Sequence, residues 1–470
     1  MSQSPPTSNP PPILSTSKAT HISHGKPVDL SQILATTWKT FEFGSDHFIF
    51  HIQSSSLMSI PKLVYDKIQN EGESAAEDVP ELVKFIESLP PEKPEPAPKL
   101  QCNGIALNVA EVCNLRCKYC YAGDGNYGVD SLMSWETAEK ILKFFLAQTD
   151  RLHIVFFGGE PMLNYELIKQ VVAWCEKQSG KRFTYSMTTN ATLLTSDALK
   201  WLKEKNFSLS ISWDGHGVHA KQRLTKDKIA NSETQVFRKL AQLQNQILEL
   251  KGVQLRGTVM EQNIPLMEEA IVQTLSTMPH AYMSAVATQS SEYHIALPGM
   301  HETQSIVRRV VMRLLDEKDY DKLKRFRTIW QSVSKIHRRE RRTMTCGAGV
   351  NYFSVSTSGK FYLCHRFTED ESERMGSVEE GFYEKRLESI RHHRLTKHAP
   401  CNACWMRETC AGGCFHENKI ANNTEFFADP KFCLTQHMML SLGIEVYVRL
   451  LKEAPQVLDN TKINWRTENV

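Results

Sequence analysis

Ten of the twelve cysteines of this 470-residue chain fall into two bunches, and that placement limits the fold more than any apolar pattern does. Cys113, Cys117 and Cys120 form a tight triplet. Cys346, Cys364, Cys401, Cys404, Cys410, Cys414 and Cys433 crowd the final stretch, and only Cys102 and Cys175 stand apart. Packing cysteines scattered through a core would not bunch in this way. The opening MSQSPPTSNPPPILSTSK lacks the charged start and apolar centre of a secretory signal. The expected location is therefore the cytoplasm, where thiols stay reduced and disulfides do not explain the bunching. Cys175 falls on the apolar face of an expected helix and reads as packing. Cys102, just ahead of the triplet, fits either role.

The triplet has the spacing Cys-x3-Cys-x2-Cys in EVCNLRCKYCYAG. Thiolates suit soft metals such as zinc and iron–sulfur clusters. A cubane has four irons, each wanting a ligand beyond its sulfides. Three cysteines cap three of them and leave one open, where a small molecule can chelate through an amine and a carboxylate. Structural zinc takes four closed ligands and fits a triplet less well.

The rest of the chain sets the triplet on a scaffold. Residues 1–28 are rich in Pro and Ser and read as a disordered tail. Residues 29–88 read as a small α+β unit. FEFGSDHFIFHIQ gives two strands around Gly44-Ser45-Asp46, followed by a helix over 61–69 and another over PELVKFIESL. Residues 89–100 are a Pro-rich linker. From 101 to 300, strand segments at 104–110, 152–157, 183–189, 207–213, 254–260 and 281–287 alternate with helical patterns near 134–148, 164–179, 195–205, 232–250 and 263–275. Such alternation predicts an α/β fold with a parallel sheet, a partial (β/α)6 TIM-like barrel rather than the closed barrel of eight units. Chemistry in such folds gathers at the C-terminal ends of the strands, and the triplet follows the first strand.

Residues 301–342 form a basic helical connector, either a solvated face or a docking surface for an acidic peptide. Residues 343–453 hold the second cysteine bunch and an amphipathic helix over 434–453, and 454–470 read as a tail. The formal charge of +3 argues against a nucleic-acid-coating protein. No stretch approaches the roughly 18 apolar residues of a membrane-spanning helix.

The triplet after the first strand of a β/α repeat resembles the radical S-adenosylmethionine (SAM) enzymes, and further marks recur at the matching strand ends. FFGGEP ends the second strand; the resemblance implies that Gly158, Gly159 and Glu160 meet the methionine amino group. Asn190 ends the third strand, Ser212 matches a ribose contact after the fourth, and Arg256 on the fifth matches a carboxylate contact. Tyr119, just before the third cysteine, belongs to the same cofactor-binding set. The family splits the sulfonium of S-adenosylmethionine with one electron from the reduced cluster, and the resulting 5′-deoxyadenosyl radical abstracts hydrogen from an unactivated carbon.

The second bunch runs Cys346-x12-Gly359-x4-Cys364, then Cys401-x2-Cys404-x5-Cys410-x3-Cys414, then Cys433. This resembles the SPASM extension of peptide-modifying radical enzymes. The resemblance implies three 4Fe–4S clusters in all: Cys401, Cys404, Cys410 and Cys433 close one auxiliary cluster, while Cys346, Cys364 and Cys414 hold a nearer one that lacks a fourth protein ligand. A substrate thiolate is the most pointed candidate for that ligand.

Sulfatase-type maturases usually carry an acidic base directly after the cysteine equivalent to Cys364, whereas this chain has His365-Arg366. The strings MTCGAG, LCHRFTEDESERMG and CNACWMRETCAGGCFHEN resemble instead the maturases of quinohemoprotein amine dehydrogenase, which join a Cys sulfur to the methylene carbon of Asp or Glu in the dehydrogenase's small subunit. His365, Asp370 and Glu417 are candidate bases. The implied partners are a peptide or small protein subunit and an electron donor such as flavodoxin or ferredoxin, with neither nucleic acid nor membrane. The N-terminal unit is where such a substrate is expected to dock, by adding a strand to a sheet edge. An iron–sulfur carrier or zinc-stapled binding protein would explain the cysteines but not GGEP or the strand-end residues.

Overall fold

The computed structural model describes residues 20–23, 26–29, 33–90, 98–250, 252–277, 281–285, 295–393 and 395–459. Six parallel strands form its centre: β1 (Gly104–Glu111), β2 (Arg151–Gly158), β3 (Arg182–Thr189), β4 (Ser208–Ser212), β5 (Gly252–Val259) and β6 (Ala281–Ala285). Each lies beside its neighbour in sequence, in the order β6-β5-β4-β3-β2-β1. The connections carry α1 (Trp135–Leu146), α2 (Tyr165–Glu176), α3 (Ser196–Glu204), α4 (Glu233–Gln242), α5 (Gln244–Leu248) and α6 (Met267–Thr277). These are the six β/α units that the sequence pattern predicts.

Local chemistry accounts for the elements. The Ser134 and Thr195 hydroxyls accept the backbone N–H groups of Thr137 and Ala198, capping α1 and α3. Ile105, Leu107 and Val109 of β1 and Ile154 and Phe156 of β2 pack against Ile141 and Phe145 of α1 and Ile168 and Val171 of α2. Strand side chains alternate between faces. In β3 Tyr185, Met187 and Thr189 are buried, whereas Thr184, Ser186 and Thr188 are less so. The second face, turned away from the helices, is polar.

One helical stretch departs from expectation. The pattern over 232–250 divides at Leu243, which leaves helical geometry. The break lets Val236, Leu240 and Ile247 all reach the same core.

The sheet does not stop at β1. The strand β7 (Tyr352–Val355) pairs in parallel with β1, from Tyr352↔Gly104 to Val355↔Leu107. Antiparallel strands β8 (Lys360–Tyr362), β9 (Arg374–Ser377) and β10 (Gly381–Phe382) follow it. Asn108 Nδ2 donates to Ser354 Oγ at 2.7 Å and to the Val355 carbonyl at 2.9 Å. The buried Glu111 carboxylate accepts the Thr357 N–H at 3.1 Å. A boundary at 343 therefore cuts through a continuous sheet, with Cys346 shortly before β7 and Cys364 just after β8.

The connector forms α7 (Leu297–Asp316), a short helix Tyr320–Arg325 and α8 (Arg327–His337). Val307, Val310, Leu314, Ile329 and Val333 pack with Leu442, Val446 and Leu450 of α9 (Pro430–Glu453). Gly443 permits the close crossing of α8 and α9, since a Cβ there would lie 2.5 Å from that of Ser332.

The N-terminal unit is a three-stranded antiparallel sheet, Trp38–Phe43, Asp46–His51 and Ser56–Ile60, with helices Lys62–Glu71 and Pro80–Ser88. The third strand, Ser56–Ile60, follows a short Ser-rich turn and is absent from the sequence reading. Trp38, Ile49 and Ile60 pack on Ile68 and Leu82 of the unit's own helices. The opposite face sets Phe48, Phe50 and Ile52 against Cys401, Trp405 and Ile444. Trp405 is fully buried, edge-on to Phe41 and Phe50 at 5.3 and 5.7 Å, and its indole N–H donates to His437 Nδ1 at 3.0 Å. Backbone bonds from Ala35 N to the Ala403 carbonyl (2.8 Å) and from Trp405 N to the Ile33 carbonyl (3.0 Å) complete the junction.

Trp405→Ala should lower apparent stability by about 3–5 kcal/mol, the usual cost of emptying so large a buried site. Calorimetry checks this, and a loss below about 1 kcal/mol would show that the junction is not a packed core.

Two outer segments differ from the sequence reading. Residues 1–28 were expected as a disordered tail, yet Thr20–Ser23 and Lys26–Asp29 pair as an antiparallel hairpin. The β-branched Thr20, Ile22 and Val28 favour the strand there. In the tail read over 454–470, Gln456–Asp459 adds a helical turn with Val457 and Leu458 buried in the connector core. The other residues of the N-terminal tail, save part of 20–29, as well as most of the 89–100 linker and residues 460–470, lie outside the described residues.

Candidate functional site

The triplet lies on a loop that is stitched on two sides. Leu115–Cys117 pairs antiparallel with Arg223–Thr225, with Cys117 opposite Arg223. Lys118 N donates to the Gln222 carbonyl at 2.9 Å. On the other side the Gly159 and Glu160 N–H groups donate to the carbonyls of Ala110 (2.7 Å) and Val112 (3.0 Å). Gly158 sits at φ +138°, and a Cβ on Gly159 would fall inside the carbonyls of Val112 and Gly125. The two glycines thus allow the end of β2 to lie directly under the cysteine loop.

Glu160 is fully buried. Its carboxylate accepts from Thr189 Oγ1 at 2.7 Å, Asn190 N at 2.7 Å and Met162 N at 3.1 Å. Burial pushes its pKa up to about 7 against those hydrogen bonds. Its visible work is to tie the ends of β2 and β3 together. Asn190 is likewise engaged, donating to Asn114 Oδ1 at 2.9 Å and lying 3.8 Å from Cys113 Sγ. Ser212 and Arg256 face each other across the β4–β5 ladder, and Arg256 is exposed on the polar side of the sheet. Along that side His153 bridges Thr184 (2.8 Å) and Ser186 (3.0 Å), and Gln254 donates to Ser210 at 2.6 Å.

One group at the site carries no sequence signal. Arg223 is buried, donates to both oxygens of Asp214 at 2.8 and 3.2 Å, and has Nη1 3.9 Å from Cys117 Sγ. Its guanidinium lies 5.4 Å from the Tyr119 ring, and the Tyr119 hydroxyl also donates to Asp214, at 3.1 Å. Asp214 is fully buried and additionally accepts the Thr258 N–H at 2.9 Å. Burial alone would push its carboxyl up; the charges of Arg223 and His219 and these hydrogen bonds hold it below the usual range. The ion pair therefore clamps the loop to the ends of β4 and β5, with Tyr119 sandwiched in the clamp.

The triplet fits a metal cluster by its donor chemistry. Burial pushes the Cys113 and Cys117 thiols up to about 12, and each is raised further by thiolate charge elsewhere in the triplet. Such thiols ligate only when a strong local positive charge offsets both effects, as metal ligation does.

The second bunch comes together as two sets. In one, burial and the neighbouring thiolates raise Cys346 to about 11 and Cys364 to about 12, with Cys414 the leading neighbour of both. In the other, burial followed by mutual charge raises Cys401, Cys404 and Cys433, with Cys410 acting on all three. Among the described residues no three His, Cys, Asp or Glu side chains meet closely enough to hold a single metal ion.

Of the three candidate bases, His365 alone faces the space between the first loop and the Cys346 set. Its Nδ1 is 2.9 Å from the Tyr352 hydroxyl, and its ring lies 4.5 Å from Phe157 and 6.2 Å from Tyr121. Burial and the charges of Arg366 and Arg256 lower its pKa to about 3, so it stands neutral. Glu417 instead pairs with Arg366 at 3.0 Å, and that guanidinium also feels Cys414 and Cys364. Asp370 caps a short turn, accepting from Ser372 N (3.1 Å) and Oγ (2.7 Å). Both carboxylates are thus engaged by neighbouring side chains or backbone.

Residues 107–244 match the model of the radical SAM superfamily, the span that contains the triplet, the GGEP turn, Asp214 and Arg223. An uncharacterized protein of Methanocaldococcus jannaschii is 36% identical over 112 residues, 24% of this chain and 38% of its own length. A cysteine-type anaerobic sulfatase-maturating enzyme of Clostridium novyi is 33% identical over 125 residues, 25% of this chain and 33% of its own length. The alignments thus span about a third of these curated relatives. The fold is that of native anSMEcpe with bound AdoMet and Cp18Cys peptide, at a TM-score of 0.62 and 17% identity, covering 76% of this chain and 99% of that one. No helix among the described residues is long and apolar enough to cross a membrane.

Proposed function

We propose that the chain is a radical SAM peptide maturase that forms intrapeptide thioether bonds, joining Cys sulfur to the methylene carbon of Asp or Glu in the small subunit of quinohemoprotein amine dehydrogenase. S-adenosylmethionine and a cluster at Cys113, Cys117 and Cys120 supply the hydrogen-abstracting radical. The observation that supports the reading is the grouping of Cys346, Cys364 and Cys414, coupled electrostatically through Cys414, with no fourth cysteine among them. A substrate thiolate there would be deprotonated and held for attack on a nearby carbon radical. The bond would form at the expense of one C–H and one S–H: the carbon would give up a hydrogen atom, the thiol proton would leave to a base, and Cys346, Cys364 and Cys414 would hold an auxiliary cluster able to take up the surplus electron.

The chain's own residues prepare this. Gly158 and Gly159 let the end of β2 lie directly under the cysteine loop, Ser212 and Arg256 offer a hydroxyl and a cation on the polar strand face, and Arg223 with Asp214 fixes the loop. Neutral His365, its Nδ1 2.9 Å from the Tyr352 hydroxyl, is one candidate base, weakened by the burial and cationic neighbours that lower its pKa. Flavodoxin or ferredoxin serves as the electron donor, and the N-terminal sheet edge remains a place for a leader strand.

Co-expression with the small subunit should lower the peptide mass by two hydrogens per bond with all sulfur retained. The fold likeness to anSMEcpe favours a second reading, oxidation of a single cysteine in the sulfatase-maturating manner. That product loses its sulfur, so the same spectrum separates the two. Unchanged mass with intact clusters and 5′-deoxyadenosine release would count against both on this substrate.

A further inference from the structure

We propose that a cavity of about 540 Å³ beside α8 binds an acidic stretch of the substrate peptide. This rests on the peptide-maturase reading and names what the peptide must carry. The lining holds Arg327, Lys335, Arg338, Arg341 and Arg342 against a single carboxylate, Glu340. Glu340 pairs with Arg342 at 2.5 Å, and Arg341 reaches Glu408 at 3.4 Å. The whole chain carries only +3, so the positive charge is gathered here. A concave lining with a clear excess of one sign focuses the field on an incoming anion.

The cavity also offers main-chain recognition. Trp330 lines it, is 2% exposed, and its indole N–H has no hydrogen-bond acceptor among the described residues. The buried Asn351 Oδ1 beside it has no donor among them either. A buried polar atom left unpaired is costly. A peptide carbonyl or carboxylate and a peptide N–H would satisfy both.

Position ties the cavity to the chemistry. Cys346 lies on its wall. Arg327 donates to Gln254 Oε1 at 2.6 Å, and Gln254 donates to Ser210 at 2.6 Å on the strand that ends in Ser212. A peptide seated here passes the Cys346 set and points along the polar strand face. The volume falls within the roughly 300–1,000 Å³ of sites that enclose a ligand. A protein electron donor would instead need a broad surface of about 800 Å² on each partner.

Fluorescence anisotropy on the anaerobic holoenzyme tests this. The probe is a short labelled peptide carrying one cysteine and alternating glutamates, compared with versions in which every glutamate is glutamine or lysine. The glutamate peptide should bind at least about tenfold tighter than the glutamine peptide, with the advantage shrinking as salt rises. Arg338 and Arg341 are exposed, so Arg338→Glu/Arg341→Glu should keep its iron while losing that preference and gaining one for the lysine peptide. Should the double variant lose iron, Arg338→Gln/Arg341→Gln replaces it, with the preference expected to fall.

Equal binding of the glutamate and glutamine peptides by the native protein overturns the site. So does a variant that keeps the preference but loses reduction by flavodoxin, which would assign the surface to the donor. Preferential binding without any modified product upholds the site and removes the thioether reading.

Discussion

On the proposed three-cluster reading, replacing Cys113, Cys117 and Cys120 together by Ala is expected to abolish 5′-deoxyadenosine formation while about two thirds of the iron remains. The expectation follows from separation. The triplet sits on a loop beyond β1, fixed by Gly159, Glu160 and the Arg223–Thr225 strand. Of the other seven, Cys346 precedes β7, Cys364 follows β8, and Cys401, Cys404, Cys410 and Cys433 belong to the segment packed against the N-terminal unit. Nothing in the second and third sets uses the triplet's thiols. Iron and sulfide analysis together with chromatography of the nucleoside products reads both halves of the result. Persistent cleavage would show that the triplet is not the reactive site, and loss of all iron would show that the three sets do not load independently.

Arg223→Met should be the most damaging change at a position that does not ligate. It leaves the fully buried Asp214 carboxylate without its cation, and breaking a buried pair from one side costs about 3–5 kcal/mol. Tyr119 also loses its stacked partner, and the strand opposite Cys117 loses its anchor. The expected outcome is a lower melting temperature and selective loss of iron from the triplet. Arg223→Lys keeps the charge but not the two-pronged geometry and should rescue only in part. Adding Asp214→Asn to Arg223→Met removes the stranded charge and should restore much of the stability, because contacting residues are energetically coupled. If Arg223→Met melts and loads iron like the native protein, the clamp has no structural role.

The repeat architecture was readable because each barrel strand is a short β-branched or aromatic run and each connecting helix repeats its apolar residues at helical spacing. The triplet and GGEP were readable because both are contiguous. What stayed hidden was non-local. Nothing in YFSV announces that β7 will pair with β1, nearly 250 residues earlier. Arg223 lies in KQRLT, a stretch with no motif, and matters only because an antiparallel ladder brings it opposite Cys117. Glu417 and Asp370 stood near the right cysteines in sequence, but Arg366 and Ser372 engage them once folded. The basic residues at 327–342 could be seen as charge, whereas their gathering around one cavity with Cys346 depends on how the segment after α8 folds back beside that helix.

The central claim is that three thiols leave one iron corner open to S-adenosylmethionine. Electron paramagnetic resonance of the reduced protein tests it most directly, on a variant that keeps Cys113, Cys117 and Cys120 and lacks the other seven clustered cysteines. A cubane signal that changes shape when S-adenosylmethionine is added is the predicted result. A signal indifferent to the cofactor, or the absence of a cubane in soundly folded protein, would contradict it.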